Sequence, residues 1–517
     1  MNVADRLVQV LEEAEVKHIF GIPGEQILPM YDAIEDSSIE HILVRHEQAA
    51  AHAADAYYRS SGKFGVCIST AAPGALNFVM AVATAYKDNV PMLIITGDNP
   101  TPIKHLDYFQ SFPLSKVFKG ITFKSYDPSN GSEAIANLKE AIAILNHEAK
   151  GPIHLNLSNN ITQELEFNEE EVNYIPDYDY NNIGKANKLI KESRKPFIIL
   201  GSGAINSNIN KIVNENSIPV STTFAGKGII DEKKEINLGL IGVRGSKKSD
   251  YALKNSDCVI AIGTRLSERT IKDFGAIRNK LIHVNIDKDK LKGNCQIHGD
   301  AQIFLNRAKF NKVNWLDEIL NQNIQEEKVE GIEDEAIPLK PQSAINSVLK
   351  IAKNSIIVSD AGSHTTWTTL LAKPDSFGKL LFSGGLAPMG YGLPAAIGAT
   401  IANPNEKVIL ICGDGDIQMN IQELATIKQY NLPIIIVVLN NNEYGIVRQF
   451  EEVYGMEPYQ VTLENPNFIK IAAAYGIDSV KIDSKEYLED FMKIAMNLDQ
   501  PIFIEVNVAK EDIPLPK

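Results

Sequence analysis

The sequence is poor in cysteine. Four of its 517 residues are Cys67, Cys258, Cys295 and Cys412, with no Cys-x-x-Cys pair and no cluster at metal-ligand spacing. A disulfide framework is excluded, and scattered thiols predict a reduced, cytoplasmic protein. Long apolar runs are missing too: none approaches the ~20 residues needed to cross a bilayer. The stretch from Met1 to Val16 carries acidic residues early and predicts an amphipathic helix instead of a targeting peptide. Cations are in deficit, 51 Lys+Arg against 65 Asp+Glu, giving a net charge of −14 without a basic run. Nucleic acid and anionic membranes are poor partners for such a chain. Its length suffices for about three domains with large cores.

What is present is organised around residues 408–449. The apolar run from Val408 to Cys412 reads as a buried strand, Gly413-Asp414-Gly415 as a tight turn, and Ile434 to Leu439 as a second buried strand. Between them Ile417, Ile421, Leu424 and Ile427 recur at helical spacing, predicting a helix from Ile417 to Tyr430. A right-handed βαβ unit places Asp414 and Asn440-Asn441 at the carboxyl ends of parallel strands, where they converge. A magnesium-bridged diphosphate suits that place, because a hard cation takes oxygen ligands and shares them with phosphate. Asp414 would give a carboxylate oxygen, Asn441 an amide oxygen and Glu443 its backbone carbonyl. Gly413 and Gly415 let the backbone approach the diphosphate, and the following helix start offers free N–H groups. Asp416, Tyr444, Gly445 and Ile446 belong to the same strand ends and are counted with them. A glycine turn between core strands is the plain alternative for Gly-Asp-Gly alone. With Asn-Asn following at this distance, the pattern resembles the thiamin diphosphate signature.

Helix and strand alternate along the whole chain, predicting an α/β protein of three doubly wound parallel-sheet domains, residues 1–165, 184–320 and 338–517. Residues 164–182 and 321–335, polar and acidic, read as linkers. In the first domain Arg45-His46-Glu47-Gln48 follows a strand; a zinc-protease His-Glu-x-x-His fails because position 50 is Ala50. Against an alanine-rich helix Glu47 is expected to be poorly solvated, with a raised pKa; the alternative is an exposed first-turn glutamate. In the middle domain Gly201-x-Gly203 follows a strand, yet the third glycine of a dinucleotide fingerprint is replaced by Asn206. A structural turn reads as well. Arg265 and Arg269 follow another strand, where arginines clamp phosphate or carboxylate, or simply carry surface charge.

Longer motifs now fall into one order: Gly21 to Gly24, Arg45 to Gln48, Ala72-Pro73-Gly74-Ala75-Leu76-Asn77, Ile95-Thr96-Gly97, Phe109-Gln110, Ala225 to Gly228, Gly263 to Arg269, Ser383 to Leu386 and Met389 to Ala396. Together they resemble the catalytic subunit of the thiamin diphosphate-dependent acetolactate synthase (acetohydroxyacid synthase) family across almost the whole chain. The resemblance implies a pyrimidine-binding, a central and a diphosphate-binding domain. It makes Glu47 the catalytic acid that hydrogen-bonds the cofactor's aminopyrimidine. Gly24, Pro73, Asn77, Gly385, Ala387 and Met389 become cofactor contacts, Met389 filling the bend between the rings and Ala387 offering its carbonyl. Phe109, Gln110, Arg269 and Phe450 match substrate-facing positions, and Gly201, Gly203, Arg244, Gly263 and Arg265 positions associated with FAD. Thiamin diphosphate and Mg²⁺ are the implied cofactors, with FAD left open. A homodimer with active sites at the subunit interface is implied, with a homotetramer and a regulatory small subunit left open. The implied reaction joins pyruvate to a second 2-oxo acid to give 2-acetolactate, as in branched-chain amino acid biosynthesis.

The chain departs from that pattern at Glu25, Arg244, Leu266-Ser267-Glu268 and Phe450, and it ends soon after Val508. These keep two other expectations open: a non-oxidative 2-oxo acid decarboxylase, and a flavin-dependent pyruvate oxidase.

Overall fold

A computed structural model describes residues 1–147 and 150–515. Its framework is three parallel sheets of six strands each. The first contains β1 (His18–Gly21), β2 (Glu40–Leu43), β3 (Gly65–Ser69), β4 (Met92–Asp98), β5 (Lys124–Tyr126) and β6 (Pro152–Ser158), in the order β2-β1-β3-β4-β6-β5. The second contains β7 (Pro196–Leu200), β8 (Val220–Thr222), β9 (Asn237–Leu240), β10 (Cys258–Ile262), β11 (Leu281–Asn285) and β12 (Cys295–His298), ordered β12-β11-β10-β7-β8-β9. The third contains β13 (Ile356–Ser359), β14 (Leu380–Leu381), β15 (Val408–Gly413), β16 (Ile434–Asn440), β17 (Asp478–Ile482) and β18 (Ile502–Asn507), ordered β14-β13-β15-β16-β18-β17. The central strands are unbroken apolar runs because helices cover both faces, as all-parallel sheets require. β15 and β16 pair in register from Val408 opposite Ile434 to Gly413 opposite Leu439, so both end at one level.

The chain divides into two compact units. One comprises Met1–Ile175, Gly331–Leu370 and Leu381–Ile513; the other comprises Pro176–Glu330, Leu371–Leu380 and the residues from Pro514 on. In the first unit one continuous core spans the first and third sheets. Its seam is the helix Glu47–Ser61 packed on the helix Gly392–Ala402. The buried alanines Ala49, Ala50, Ala51, Ala53 and Ala54 keep this stretch slim, because only small side chains let two helices approach so closely. A Cβ on Gly398 would stand 2.0 Å from the carbonyl oxygen of Ala53.

The four cysteines are free and buried. Among the described residues no helix is long and apolar enough to cross a membrane.

Two buried histidines of the first sheet's half give stability a pH dependence. His154 is stacked on Phe118 between Thr96 and Ser125, and His52 is enclosed with no hydrogen-bond partner among the described residues. Burial pushes both imidazoles down to about 3. The unfolded chain binds these protons near pH 6.5, so their contribution is whole above that value and is lost as pH falls from it toward 3. Each costs up to about 1.4 kcal/mol per pH unit. Denaturant midpoints at about pH 7 and about pH 5 should therefore converge more in His154→Asn than in the parent chain.

Candidate active site

Two clusters of the expected residues form in the first unit. At the carboxyl end of the first sheet, β2 runs into Arg45 and His46, and Glu47 opens the long helix with the His46 side chain as its cap. Asn77 Nδ2 donates to Glu47 Oε2 at 2.9 Å. A Cβ on Gly74 would meet Glu47 Oε1 at 2.9 Å, so this glycine leaves the carboxylate its room. Pro73 starts the short helix Ala72–Asn77 that delivers both. Gly24 lies against Thr70, whose Oγ1 accepts from the Gln26 N–H. One expectation is corrected: within the chain Glu47 is only half-buried. Residues 49–57 of its helix are all buried, but Glu47 stands on the first turn, ahead of that enclosed stretch.

At the carboxyl end of the third sheet the expected convergence is present. Asn465 Nδ2 donates to Asp414 Oδ2 (2.6 Å), Asn440 Oδ1 (3.1 Å) and Asn442 Oδ1 (3.3 Å), tying the two strand ends together. The Asp414 carboxyl is almost wholly buried, and burial pushes it up to about 6. Asn441 Oδ1 accepts from the Glu443 N–H, and Tyr444, Gly445 and Ile446 begin the helix Gly445–Val453. A Cβ on Gly415 would collide with the Tyr444 ring at 2.6 Å. The Glu443 carboxylate is engaged by Arg448 and Lys510, which leaves its backbone carbonyl as the group free to act as a ligand.

This donor set fits Mg²⁺: one buried carboxylate with no ion-pair partner among the described residues, an amide oxygen and a backbone carbonyl, all hard oxygens. Among the described residues no group of three or more His, Cys, Asp or Glu could hold a metal, consistent with a set containing a single carboxylate. Asp416 is also enclosed, but its carboxylate faces His364, whose Nε2 lies 3.1 Å from Oδ2, off the direction of a hydrogen bond. Asp416 and Asp360 raise the His364 pKa against the effect of its burial.

The segment from Ser383 to Met389 is pinned at both ends. At its entry Asp88 Oδ2 accepts from Arg59 (2.9 Å) and from the Gly384 N–H (3.2 Å), and a Cβ on Gly385 would strike Asp88 Oδ1. Asp55, wholly buried, holds Arg59 and accepts from Tyr391. At the exit Asp360 accepts from the Gly390 and Gly392 N–H groups, and Asn420 Nδ2 donates to the Gly390 carbonyl. Between these anchors Ala387 adopts φ +51°, a left-handed conformation that an alanine takes only when its surroundings impose it. Met389 remains 40% exposed.

The tether at Asn420 overturns one predicted element. The stretch from Ile417 to Tyr430 is not one helix but two 3₁₀ turns, Ile417–Met419 and Ile421–Glu423, followed by the helix Leu424–Gln429. Asn420 takes φ −134° to reach Gly390, and that breaks the helical ladder.

Of the substrate-facing residues, Phe109 is 72% exposed, and Gln110 lies beside it at φ +59°. Phe450 is partly exposed and stacks on Tyr454. The neighbouring Gln449 exchanges two hydrogen bonds with the Ile513 backbone, so the carboxyl-terminal segment is tied to this helix. Glu25 is exposed, and Asn159 donates to its carbonyl.

Gly201, Gly203, Arg244, Gly263, Arg265 and Arg269 belong to the second unit. The loops leaving β7 and β10 touch: a Cβ on Gly263 would lie 2.4 Å from the Gly203 backbone, so close packing accounts for these glycines by itself. Arg244, held at φ +61°, has its pKa lowered by burial and by Arg269. Neither arginine forms an ion pair among the described residues. Arg244 is half-buried and Arg269 exposed, and two neighbouring cations without a carboxylate suit an anion.

Sequence reasoning passed over Asp88, Arg59, Asn465, His364 and Glu423. The contacts that bring them to the site, Asp88 with Gly384, Arg59 with Phe382, Asn465 with Asp414, His364 with Asp416 and Glu423 with Arg45, join residues distant in sequence, so spacing gave no signal.

Known proteins resemble this chain along almost its whole length. Residues 1–117 match the thiamine pyrophosphate enzyme N-terminal TPP binding domain, 183–308 the central domain, and 360–506 the C-terminal TPP binding domain. The chain is 36% identical to the probable acetolactate synthase large subunit of Methanococcus aeolicus, with 98% of this chain and 92% of that one covered. It is 37% identical to the acetolactate synthase large subunit of Porphyra purpurea, with 96% and 90% covered, and 34% identical to that of Lactococcus lactis subsp. lactis, with 99% and 93% covered. The chain belongs to the acetolactate synthase large-subunit family of thiamine pyrophosphate enzymes. In that family setting the three sheets are the N-terminal, central and C-terminal domains of a thiamin diphosphate enzyme, and both residue clusters lie in the two TPP-binding domains.

Proposed function

We propose that the protein decarboxylates pyruvate and joins the remaining two-carbon unit to a second 2-oxo acid, giving 2-acetolactate. The observation that carries the reading is the likeness to acetolactate synthase large subunits over 98% of the chain, with Asp414 and Asn441 at strand ends and Glu47 at the start of the helix after β2. When bound, thiamin diphosphate supplies the electron sink that decarboxylation of a 2-oxo acid needs. Glu47 holds a proton toward the aminopyrimidine; since Asn77 occupies Oε2, Oε1 is the proton-bearing atom. Asp414, Asn441 and the Glu443 carbonyl hold Mg²⁺, with Gly413 and Gly415 keeping the backbone clear of side chains. The Ala387 carbonyl would orient the cofactor's amino group, and Met389 would supply a flexible apolar surface for its rings. Phe109, Gln110 and Phe450 are assigned to the substrates and Arg269 to the acceptor's carboxylate.

We divide the chain into 1–165, 184–320 and 338–517. We assign the active form to a homodimer in which Glu47 of one protomer and Asp414 of its partner serve one cofactor. Among the described residues no hydrogen bond joins those two side chains within one chain, and the exposed Met389 and Phe109 suit faces that a second protomer covers. The large-subunit naming of the relatives supports a smaller companion chain. FAD is assigned to the second sheet, where strand order reverses between β7 and β10, with Arg244 and Arg265 toward its phosphates; flavin absorbance of the purified protein tests this.

The reaction is tested by product analysis of purified protein given thiamin diphosphate, Mg²⁺ and pyruvate, with and without FAD. 2-Acetolactate is the expected product. Acetaldehyde alone, or oxygen uptake linked to pyruvate, would replace this reading with a decarboxylase or an oxidase.

A further inference from the structure

Glu423 comes from the third sheet's half and is fully enclosed, with 0% of its surface exposed. Its partners lie in the other half. Glu423 Oε1 and Oε2 accept from the Arg45 N–H at 3.0 and 3.2 Å, the His46 N–H also reaches it, and Thr426 Oγ1 donates at 2.6 Å. Arg45 and His46 immediately precede Glu47, and His46 caps its helix. The neighbouring bonds follow suit: Tyr430 Oη accepts from the Leu43 N–H at 2.8 Å and donates to the His41 carbonyl, and the Arg45 guanidinium reaches Gln429.

Residues 41–46 are thus bonded at successive points to residues 423–430. A carboxylate buried without an ion pair is costly, and here burial pushes it up to about 7. The Arg45 side chain turns away to the Leu43 carbonyl and Gln429 and does not pair with it. What this arrangement gains is position: two acceptor oxygens face consecutive backbone donors one residue ahead of Glu47.

We propose that Glu423 is a positioning residue that fixes where Glu47 is presented to the cofactor, so that one half of the chain sets the acid carried by the other. The inference rests on the proposed role of Glu47. It differs from a packing role in what it predicts for proton transfer at constant cofactor affinity.

Three quantities are read on the parent, Glu47→Gln and Glu423→Gln. In cofactor-free protein, amide hydrogen exchange of the peptide spanning residues 44–50 should quicken roughly tenfold in Glu423→Gln, as expected when a buried amide loses its acceptor. With thiamin diphosphate and Mg²⁺ bound, exchange of the thiazolium C2 proton should slow about tenfold in Glu423→Gln and further in Glu47→Gln. The dissociation constant for thiamin diphosphate should stay within about threefold. C2 exchange unchanged in both variants would overturn the reading of Glu47 itself. Slowing in Glu47→Gln with parental C2 exchange in Glu423→Gln would overturn the positioning role alone. Should Glu423→Gln fail to fold, Tyr430→Phe, which removes the adjoining tether at Leu43, must slow C2 exchange in the same direction by a smaller factor; parental exchange there overturns the proposal.

Discussion

Glu47→Gln should lower turnover of pyruvate by roughly two to four orders of magnitude while thiamin diphosphate affinity changes little. The side chain keeps its size, and the substituted amide could still accept from Asn77 Nδ2 through its oxygen. What is lost is the atom at Oε1 that gains and releases a proton. The Glu47 cluster carries no ligand for a diphosphate; those groups stand at the third sheet. Steady-state rates together with cofactor titration separate the two effects. Unchanged turnover would remove Glu47 from the chemistry and leave it as the first residue of a buried helix.

Asp414→Ala should have the opposite signature: cofactor retention in the presence of Mg²⁺ falls by at least roughly a hundredfold, because loss of even outer partners of a metal ligand costs 10–100-fold. Asp414 contributes the only carboxylate of the donor set, and Asn441 and a backbone carbonyl together are weak ligands for a hard dication. The substitution removes the bond from Asn465 to the end of β15, but β15 and β16 stay paired along their backbones up to Gly413 opposite Leu439, so the fold should survive. Equal affinity for thiamin diphosphate with and without Mg²⁺ in the parent chain would contradict the assignment.

The parts of this molecule legible in its sequence are those whose cause is local. The apolar runs of β10, β15 and β16 announced buried parallel strands, and the turns after β15 and β16 were enough to place Asp414 and Asn441 at strand ends. Short edge strands such as β5 and β17, half-exposed and without an apolar run, gave no such signal. The Ile417–Tyr430 pattern had helical period, but the bond from Asn420 to Gly390 is a tertiary interaction that period cannot report. Solvation of Glu47 was misjudged for a related reason: the helix is enclosed only from Ala49 on, and how far its first turn is covered depends on tertiary packing that alanine content does not report. The braces at Asp88–Arg59 and Glu423 lie furthest from sequence reasoning. Each joins residues about three hundred positions or more apart, and each sits beside a motif that was recognised.

A consequence of these braces is that the two cofactor-bearing parts of one chain are mechanically joined even though, on the dimer reading, they serve different sites. Asp88 and Arg59, from the first sheet's half, hold the segment that bears Ala387 and Met389. Glu423, from the third sheet's half, holds the approach to Glu47.

Subunit complementation tests this arrangement most directly. Chains carrying Glu47→Gln and chains carrying Asp414→Ala are each expected to be inactive alone. Combined by co-expression, they should regain 2-acetolactate formation, because one of the two sites in every mixed dimer keeps an intact Glu47 and an intact Asp414. No recovery from a mixture of folded, dimeric variants would contradict the account and place both groups in a site built by a single chain.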